Sequence, residues 1–346
     1  MEKLCIGVTG INAIDNPGPG MGVIRSLKEC HDLNVEIVGL AYDAMEPGIY
    51  MDWLVDKSFI LLYPSTSEEE YIGRLLYIKN KVGVDMIIPT LDAEMPLFIK
   101  SKEKLELHGI KTFIPSQEQF NLRSKAKLEE MGSKIGIKTP KSKIATSYDE
   151  LSKAVEELGL PIMVKGAFYK AYRAYTHQEA VGFFREIVAE WGYPVIVQQI
   201  VSGEEMNVVG VGDGEGSDLG VVAIKKLWTT SLGKIWTGVT VKNSKLLELA
   251  KTFTEKTKWK GAFELECIVN NDDVYLIEVN PRFPAWIYFA TGVGINLPSR
   301  MVKKTFGMDF EKTKEYKAGK LYVRYTYDIV TDLSLFQRIT MKGESL

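Results

Sequence analysis

The chain has 346 residues, more than one hydrophobic core ordinarily serves, so two or three packed units are expected. Apolar residues make up 45% and charged residues 25%, the composition of a soluble globular protein. Lys plus Arg (43) nearly balances Asp plus Glu (45), so no overall field favours nucleic acid or an anionic membrane as partner.

The first strand, 4–9, begins at once and leaves no room for a signal peptide. No apolar run approaches the ~20 residues that a membrane span needs. Cys5, Cys30 and Cys267 are odd in number, far apart and without metal-ligand spacing, which fits a reducing cytoplasm. A helix at 18–30 follows, then a strand at 35–41, a helix at 67–81 and a strand at 85–90. A helix at 93–108 and a strand at 110–114 close this part. Strands alternating with helices predict a doubly wound parallel sheet. Ligands on such sheets sit beyond the strand C-termini, here 10–20, 42–46 and 90–94.

The middle reads as a small α+β unit, with helices at 123–135, 148–158 and 176–191 and strands at 161–165 and 194–200. Longer strands follow at 205–211, 220–227, 234–241, 261–269 and 274–280, with one helix at 244–258, which predicts an antiparallel sheet with one covered face. The expected units are 1–114, 115–200 and 201–346.

The stretch from Gly261 to Phe283 carries the most chemistry. Two apolar strands flank the polar turn at 270–273, so a β-hairpin is expected. Alternation places Phe263, Leu265 and Cys267 on one face and Glu264 and Glu266 on the other. If Asn270 pairs with Val274 across a three-residue loop, Glu266 lies opposite Glu278 with Cβ atoms roughly 4.5–5.5 Å apart. Two carboxylates so close either raise one pKa or share a cation. Magnesium suits the role, since it takes hard oxygens and commonly joins one or two carboxylates to nucleotide phosphates. Asn280 adds an amide oxygen on the same face, and Arg282 adds a planar fork suited to phosphate. A merely solvated acidic face would explain scattered acids, but not acid, acid, amide and arginine converging on one strand end.

Lys165 ends the apolar strand Pro161-Ile-Met-Val-Lys165, and Lys125 lies at the start of the preceding helical segment. Two such cations would clamp a polyphosphate if they converge. Gln198 and Gln199 end another apolar strand, and Ser202-Gly203 leads into Glu204 and Glu205. Such a segment offers donors and acceptors to an adenine and a carboxylate to a ribose. On these residues alone an ordinary strand–turn–strand is the simpler reading.

Together, PIMVKGAFYKA, VIVQQIVSGEEM and ELECIVNNDDVYLIEVNPRF resemble the ATP-grasp superfamily, and within it the large-subunit-like branch of carbamoyl-phosphate synthase. The resemblance runs from about Lys3 to Gly307. It implies an N-terminal α/β domain, a small lid subdomain and a larger sheet domain, with ATP between the last two. Lys125 and Lys165 match the phosphate- and adenine-contacting lysines, Gln198, Gln199 and Val201 the adenine-facing hinge, and Glu205 the ribose acid. Glu266, Glu278 and Asn280 match the ligands of Mg2+, with Mn2+ as an alternative. Arg282 matches the residue that steadies the transferred phosphoryl group, and Lys225 or Lys226, with Lys225 preferred, a further phosphate contact.

Two departures qualify the match. The lid loop Gly166-Ala-Phe-Tyr-Lys-Ala-Tyr-Arg173 has one glycine, leaving Lys170 or Arg173 to replace a backbone cradle. Gln198 stands where a glutamate is common. The glycine-rich stretch from Gly10 to Gly22 is not a dinucleotide fingerprint, and a structural turn accounts for it as well as a substrate loop does.

The implied activity is ATP-dependent, magnesium-requiring ligation: a carboxylate becomes an acyl phosphate and passes to an amine or another nucleophile, with release of ADP and phosphate. The expected partners are a small-molecule or peptide carboxylate and a nucleophile, with a homodimer admitted. Rival readings are phosphorylation of bicarbonate or carbamate, a nicotinamide dehydrogenase using Asp43, and a non-catalytic ATP-binding protein. His31, His108 and His177 lie on or beside helices and supply no evident base. Tyr42, Asp43, Asp92, Glu94 and Trp286 are candidate substrate-pocket residues.

Overall fold

The computed structural model describes residues 3–14, 16–167, 170–231, 233–271, 273–311 and 315–346, arranged on three sheets. The first is parallel: β1 (Leu4–Val8), β2 (Val35–Ala41), β3 (Lys57–Ile60) and β4 (Met86–Ile88), in the order β3-β2-β1-β4. Its central strands are near-continuous apolar runs because both faces are covered. Helix Glu68–Val82 is capped by Ser67, whose hydroxyl accepts the Glu70 N–H, and stops at Gly83 in the left-handed conformation. Here the structure departs from expectation twice. Lys57-Ser-Phe-Ile, short and half polar, forms a strand that the pattern hides, whereas 110–114 contributes only an isolated bridge from Lys111 to Met86.

The second sheet is antiparallel, with β5 (Ser142–Ala145), β6 (Ile162–Gly166), β7 (Ala171–Ala174) and β8 (Val195–Gln199) in the order β5-β8-β6-β7. Helices Tyr148–Leu158 and His177–Trp191 cover one face, packing Leu151, Phe184 and Ile187 on Val164 and Val197. A capping box between Thr176 and Glu179 starts the second helix.

The third sheet has six antiparallel strands in the order β13-β12-β9-β10-β11-β14. They are β9 (Glu204–Asp213), β10 (Asp218–Thr229), β11 (Ile235–Thr240), β12 (Lys260–Asn270), β13 (Asp273–Asn280) and β14 (Leu321–Val323). Helix Ser244–Thr257 packs Leu246, Leu249 and Phe253 on one face, over Leu265 and Cys267. The other face sends Val209, Val222 and Ile224 into a core shared with Ile11, Ile24 and Trp286. The parallel sheet therefore rests on the same face that carries the acids of β12. Among the described residues no helix is long and apolar enough to cross a membrane, and all three cysteines are unbridged.

Candidate active site

Glu266 and Glu278 are paired directly across β12 and β13, as the alternation predicts. The route differs from the expected one. Asn270 pairs with Asp273 and Val269 with Val274, so the turn is one residue tighter than expected. Asn271 turns it at φ +41°, and Asp272 lies outside the described residues. Cys267 then pairs with Leu276 but Glu266 with Glu278, so Ile277 is an extra residue in a β-bulge. The bulge reverses which side faces the helix. It lets Leu276 enter the core while Glu278 and Asn280 join Glu266 and Glu264 on the opposite face.

The acids on this face are held by cations and amides. Lys226 Nζ lies 2.9 Å from Glu266 Oε2 and 3.5 Å from Glu205, and Lys125 Nζ lies 3.3 Å from Glu278 Oε1. Glu264 is buried and accepts from Asn207 Nδ2 (2.7 Å), Trp286 Nε1 (2.7 Å) and Asn280 Nδ2 (3.1 Å). Asn280 Nδ2 also donates to Glu266 Oε1 at 3.1 Å. With its nitrogen spent on two carboxylates, the Asn280 carbonyl oxygen is directed away from them.

Burial works against charge on Glu266, but Lys226, Arg282 and Asn280 outweigh it and hold this carboxyl below the usual range. Burial and the Glu266 charge push Glu264 up, and burial pushes Glu278 up against the pull of Lys125. One acid favoured in its charged form thus sits beside two that burial disfavours, a set that gains from an added cation. Among the described residues no three His, Cys, Asp or Glu side chains are grouped to enclose a metal. Glu266 and Glu278 form a partial set of hard oxygen donors, and the Asn280 oxygen would join it only if its amide turned from the two carboxylates it now meets through Nδ2. Such a set suits an ion completing its shell with phosphate oxygens and water.

The two lysines from separate segments converge. Lys165, on β6, has Glu278, Lys125, Glu266 and Glu205 as its charged neighbours, and burial lowers its pKa. Its ammonium donates to Gln198 Oε1 at 2.7 Å, so the buried Gln198 orients the lysine. Gln199 is exposed on the opposite face of β8, and Val201 is half-buried just beyond it. The preference for Lys225 is corrected. Lys226 follows Ile224 at a spacing of two and so shares the acid face, whereas Lys225 pairs with Met206 on the helix-covered side and makes its ion pair to Glu204.

Other candidate positions lie apart from the acid pair or have partners of their own. Phe168 and Tyr169 of the lid loop lie outside the described residues, while Lys170 pairs with Glu186 and Glu190 of helix His177–Trp191 and Arg173 meets the Tyr175 hydroxyl. In the N-terminal glycine-rich loop, Asp15 lies outside the described residues. Gly10, at φ +68°, packs so tightly on Thr90 that a Cβ would meet its Oγ1 at 2.1 Å. Glu94 and Tyr42 are hydrogen-bonded to each other within the sheet edge, and Asp43 is exposed. His177 bonds Ser152 at the surface. The sequence reading passed over Asn207, and it placed Glu264 beside Glu266 without seeing that it gathers Asn207, Trp286 and Asn280. It also passed over the pairing of Arg282 with Asp92 at 2.8 Å, which joins positions 190 residues apart.

A small four-stranded antiparallel sheet beside a larger one, with carboxylates and lysines at their junction, is the ATP-grasp fold. Residues 193–328, which contain the hairpin, match the family model described as ATP-grasp in the biosynthetic pathway with Ter operon. Among solved structures, the chain is similar to the biotin carboxylase domain dimer of Hydrogenobacter thermophilus 2-oxoglutarate carboxylase, in complex with MgADP, ADP and bicarbonate. The TM-score is 0.71 at 16% identity, covering 92% of this chain and 73% of that one. It is also similar to the L-amino acid ligase from Bacillus licheniformis, with TM-score 0.69 at 14% identity over 90% of this chain and 77% of that one. An ADP complex of N5-carboxyaminoimidazole ribonucleotide synthetase gives TM-score 0.67 at 14% identity over 91% and 80%.

Proposed function

We propose that this chain is an ATP-dependent ligase that converts a carboxylate to an acyl phosphate and passes the acyl group to an amine or another nucleophile, releasing ADP and phosphate. The observation that carries the reading is the facing pair Glu266 and Glu278, with Lys125, Lys165, Lys226 and Arg282 gathered around it. The names of the similar structures, two of them a ligase and a synthetase, support the same class.

Nucleotide would lie between the second and third sheets. Lys165, steadied by Gln198, and Lys125 meet its phosphates, and Glu205 faces the ribose. Glu266, Glu278 and Asn280 would hold a magnesium ion, which when bound neutralises charge on the phosphate oxygens. An oxygen of the bound carboxylate attacks the γ-phosphorus, the bond to the β-bridging oxygen breaks, and ADP leaves. Such transfer needs in-line positioning and charge neutralisation more than covalent help from the protein. Arg282 then stabilises the acyl phosphate while the nucleophile adds at the acyl carbon and phosphate departs. The second sheet acts as the lid that excludes water. A cytoplasmic location fits this chemistry, and the dimer named for the Hydrogenobacter domain supports a homodimer.

The bicarbonate named in that structure favours one alternative, phosphorylation of bicarbonate at the same site. A screen of ADP release over amino acids, peptides and small acids, with hydroxylamine to trap acyl phosphates, separates the two. Hydroxamate with any acid supports the ligase. ADP release stimulated by bicarbonate alone supports the alternative, and nucleotide binding without ADP release under any condition refutes both.

A further inference from the structure

The loop after β4 carries Thr90-Leu-Asp-Ala-Glu94. Glu94 is fully buried and accepts from the Thr9 hydroxyl, the Tyr42 hydroxyl, and the backbone N–H groups of Thr90 (2.8 Å) and Leu91 (2.9 Å). Four donors on one carboxylate leave this loop little freedom. Two residues earlier, Asp92 places one oxygen on each of two arginines. Oδ1 accepts from Arg123 Nη1 at 2.6 Å, and Oδ2 accepts from Arg282 Nε at 2.8 Å. Burial opposes charge on Asp92, but the two guanidinium groups outweigh it and hold its carboxyl below the usual range.

The two arginines lead to the two sides of the acid pair. Arg282 follows Asn280 by two residues, and with Nε held by Asp92 its Nη1 lies 3.8 Å from Glu264 Oε2. Arg123 precedes Lys125 by two residues, and Lys125 pairs with Glu278. A single side chain of the parallel sheet thus touches both approaches to the site.

We propose that Asp92 is a positioning residue for the phosphate-facing cations, holding Arg282 directly and, through Arg123, the segment that carries Lys125. The role rests on the reading of Arg282 and Lys125 as phosphate contacts. Without the Asp92 carboxylate, the nearest acid to Arg282 is Glu264, which orients Asn280. A released guanidinium would be drawn onto the acid face and compete there with any bound cation.

The test compares Asp92→Asn and Asp92→Glu with the parent chain in two measurements. Calorimetry gives the affinity for a non-hydrolysable imido analogue of ATP with Mg2+. Hydrogen exchange without nucleotide follows segments 121–128 and 280–284. Asn keeps the size but loses the charge that joins both arginines, so affinity should fall about tenfold and both segments should exchange faster. Glu, longer but charged, should recover most of both. A residue that only fills space would show the reverse order, with Asn close to the parent and Glu worse, and that result overturns the proposal. If the parent chain binds no nucleotide, the phosphate reading fails, yet exchange still decides on the clamp: unchanged exchange in Asp92→Asn refutes it, and faster exchange in both segments upholds it.

Discussion

Two clusters of acids, one half-buried on the six-stranded sheet and one buried at the edge of the parallel sheet, are held by different chemistry in this protein. On the face of β12 and β13, Glu266 and Glu278 are balanced by Lys226 and Lys125, which are ion pairs to long flexible cations. At the edge of the parallel sheet, Glu94 is satisfied by hydroxyls and backbone amides, and Glu46 accepts the Tyr42 N–H while its second oxygen has no partner among the described residues. Neutral donors from fixed elements make a structural anchor. Lysines are exchangeable: under the proposed function each would swing from a carboxylate to a phosphate of the bound nucleotide. The comparison teaches that burial of an acid says little about its role, and that the identity of its partner says more.

The largest expected effect breaks the exchangeable cluster. Glu278→Ala should lower ADP release by at least about two orders of magnitude while leaving the circular dichroism spectrum unchanged. Full retained activity would remove this residue from the chemistry. Next comes the anchor. Glu94→Ala strips the acceptor from four donors and should cost about 2 kcal/mol or more in urea unfolding, through destabilisation rather than through loss of a catalytic group. A smaller contrast sharpens the role of the lysines. Lys226→Met should weaken binding of the imido ATP analogue about tenfold, whereas Lys225→Met on the far face should change it less than about twofold. Equal effects would mean that strand parity does not select the phosphate contact.

The smallest effect is a slope. Burial, opposed by backbone N–H groups and reinforced by Asp43 and Glu94, raises Glu46 from 4.5 to about 7. Its folded-state pKa exceeds its unfolded value, so the folded chain keeps a proton that the unfolded chain has released. Stability therefore falls as pH rises from 4.5 toward 7, and Glu46→Gln should remove that part of the slope in urea titrations at stepped pH. Glu266, held below its usual range, contributes with the opposite sign: stability present above the unfolded pKa and lost as pH falls.

Much of this was legible in the residues because period-two alternation is a strong signal. Glu266 facing Glu278 follows from it, as does the company of Asn280. The Ile277 bulge was not legible, since an extra residue inside an apolar strand leaves no mark in composition. The shorter turn and the bulge offset one another, so the facing pair survives an incorrect loop length. Lys225 and Lys226 are adjacent, and only the register with β9 decides which faces the acids. Strand β3 was missed because Lys57 and Ser58 interrupt its apolar pattern, and residues 110–114 were over-read because an apolar run need not find a full ladder. Asp92 is legible as a polar residue beyond a strand end, but its two arginine partners are joined to it only by tertiary contact.

In the proposed function Glu266 and Glu278 share one divalent ion with a nucleoside triphosphate. Manganese, whose spin resonance reports bound ions directly, allows this to be measured with the imido ATP analogue in the parent chain, in Glu266→Gln and in Glu278→Gln. The expected result is a nucleotide-dependent bound ion in the parent and at least about tenfold weaker ion binding in each variant. Parent-like ion binding in both variants would contradict the account.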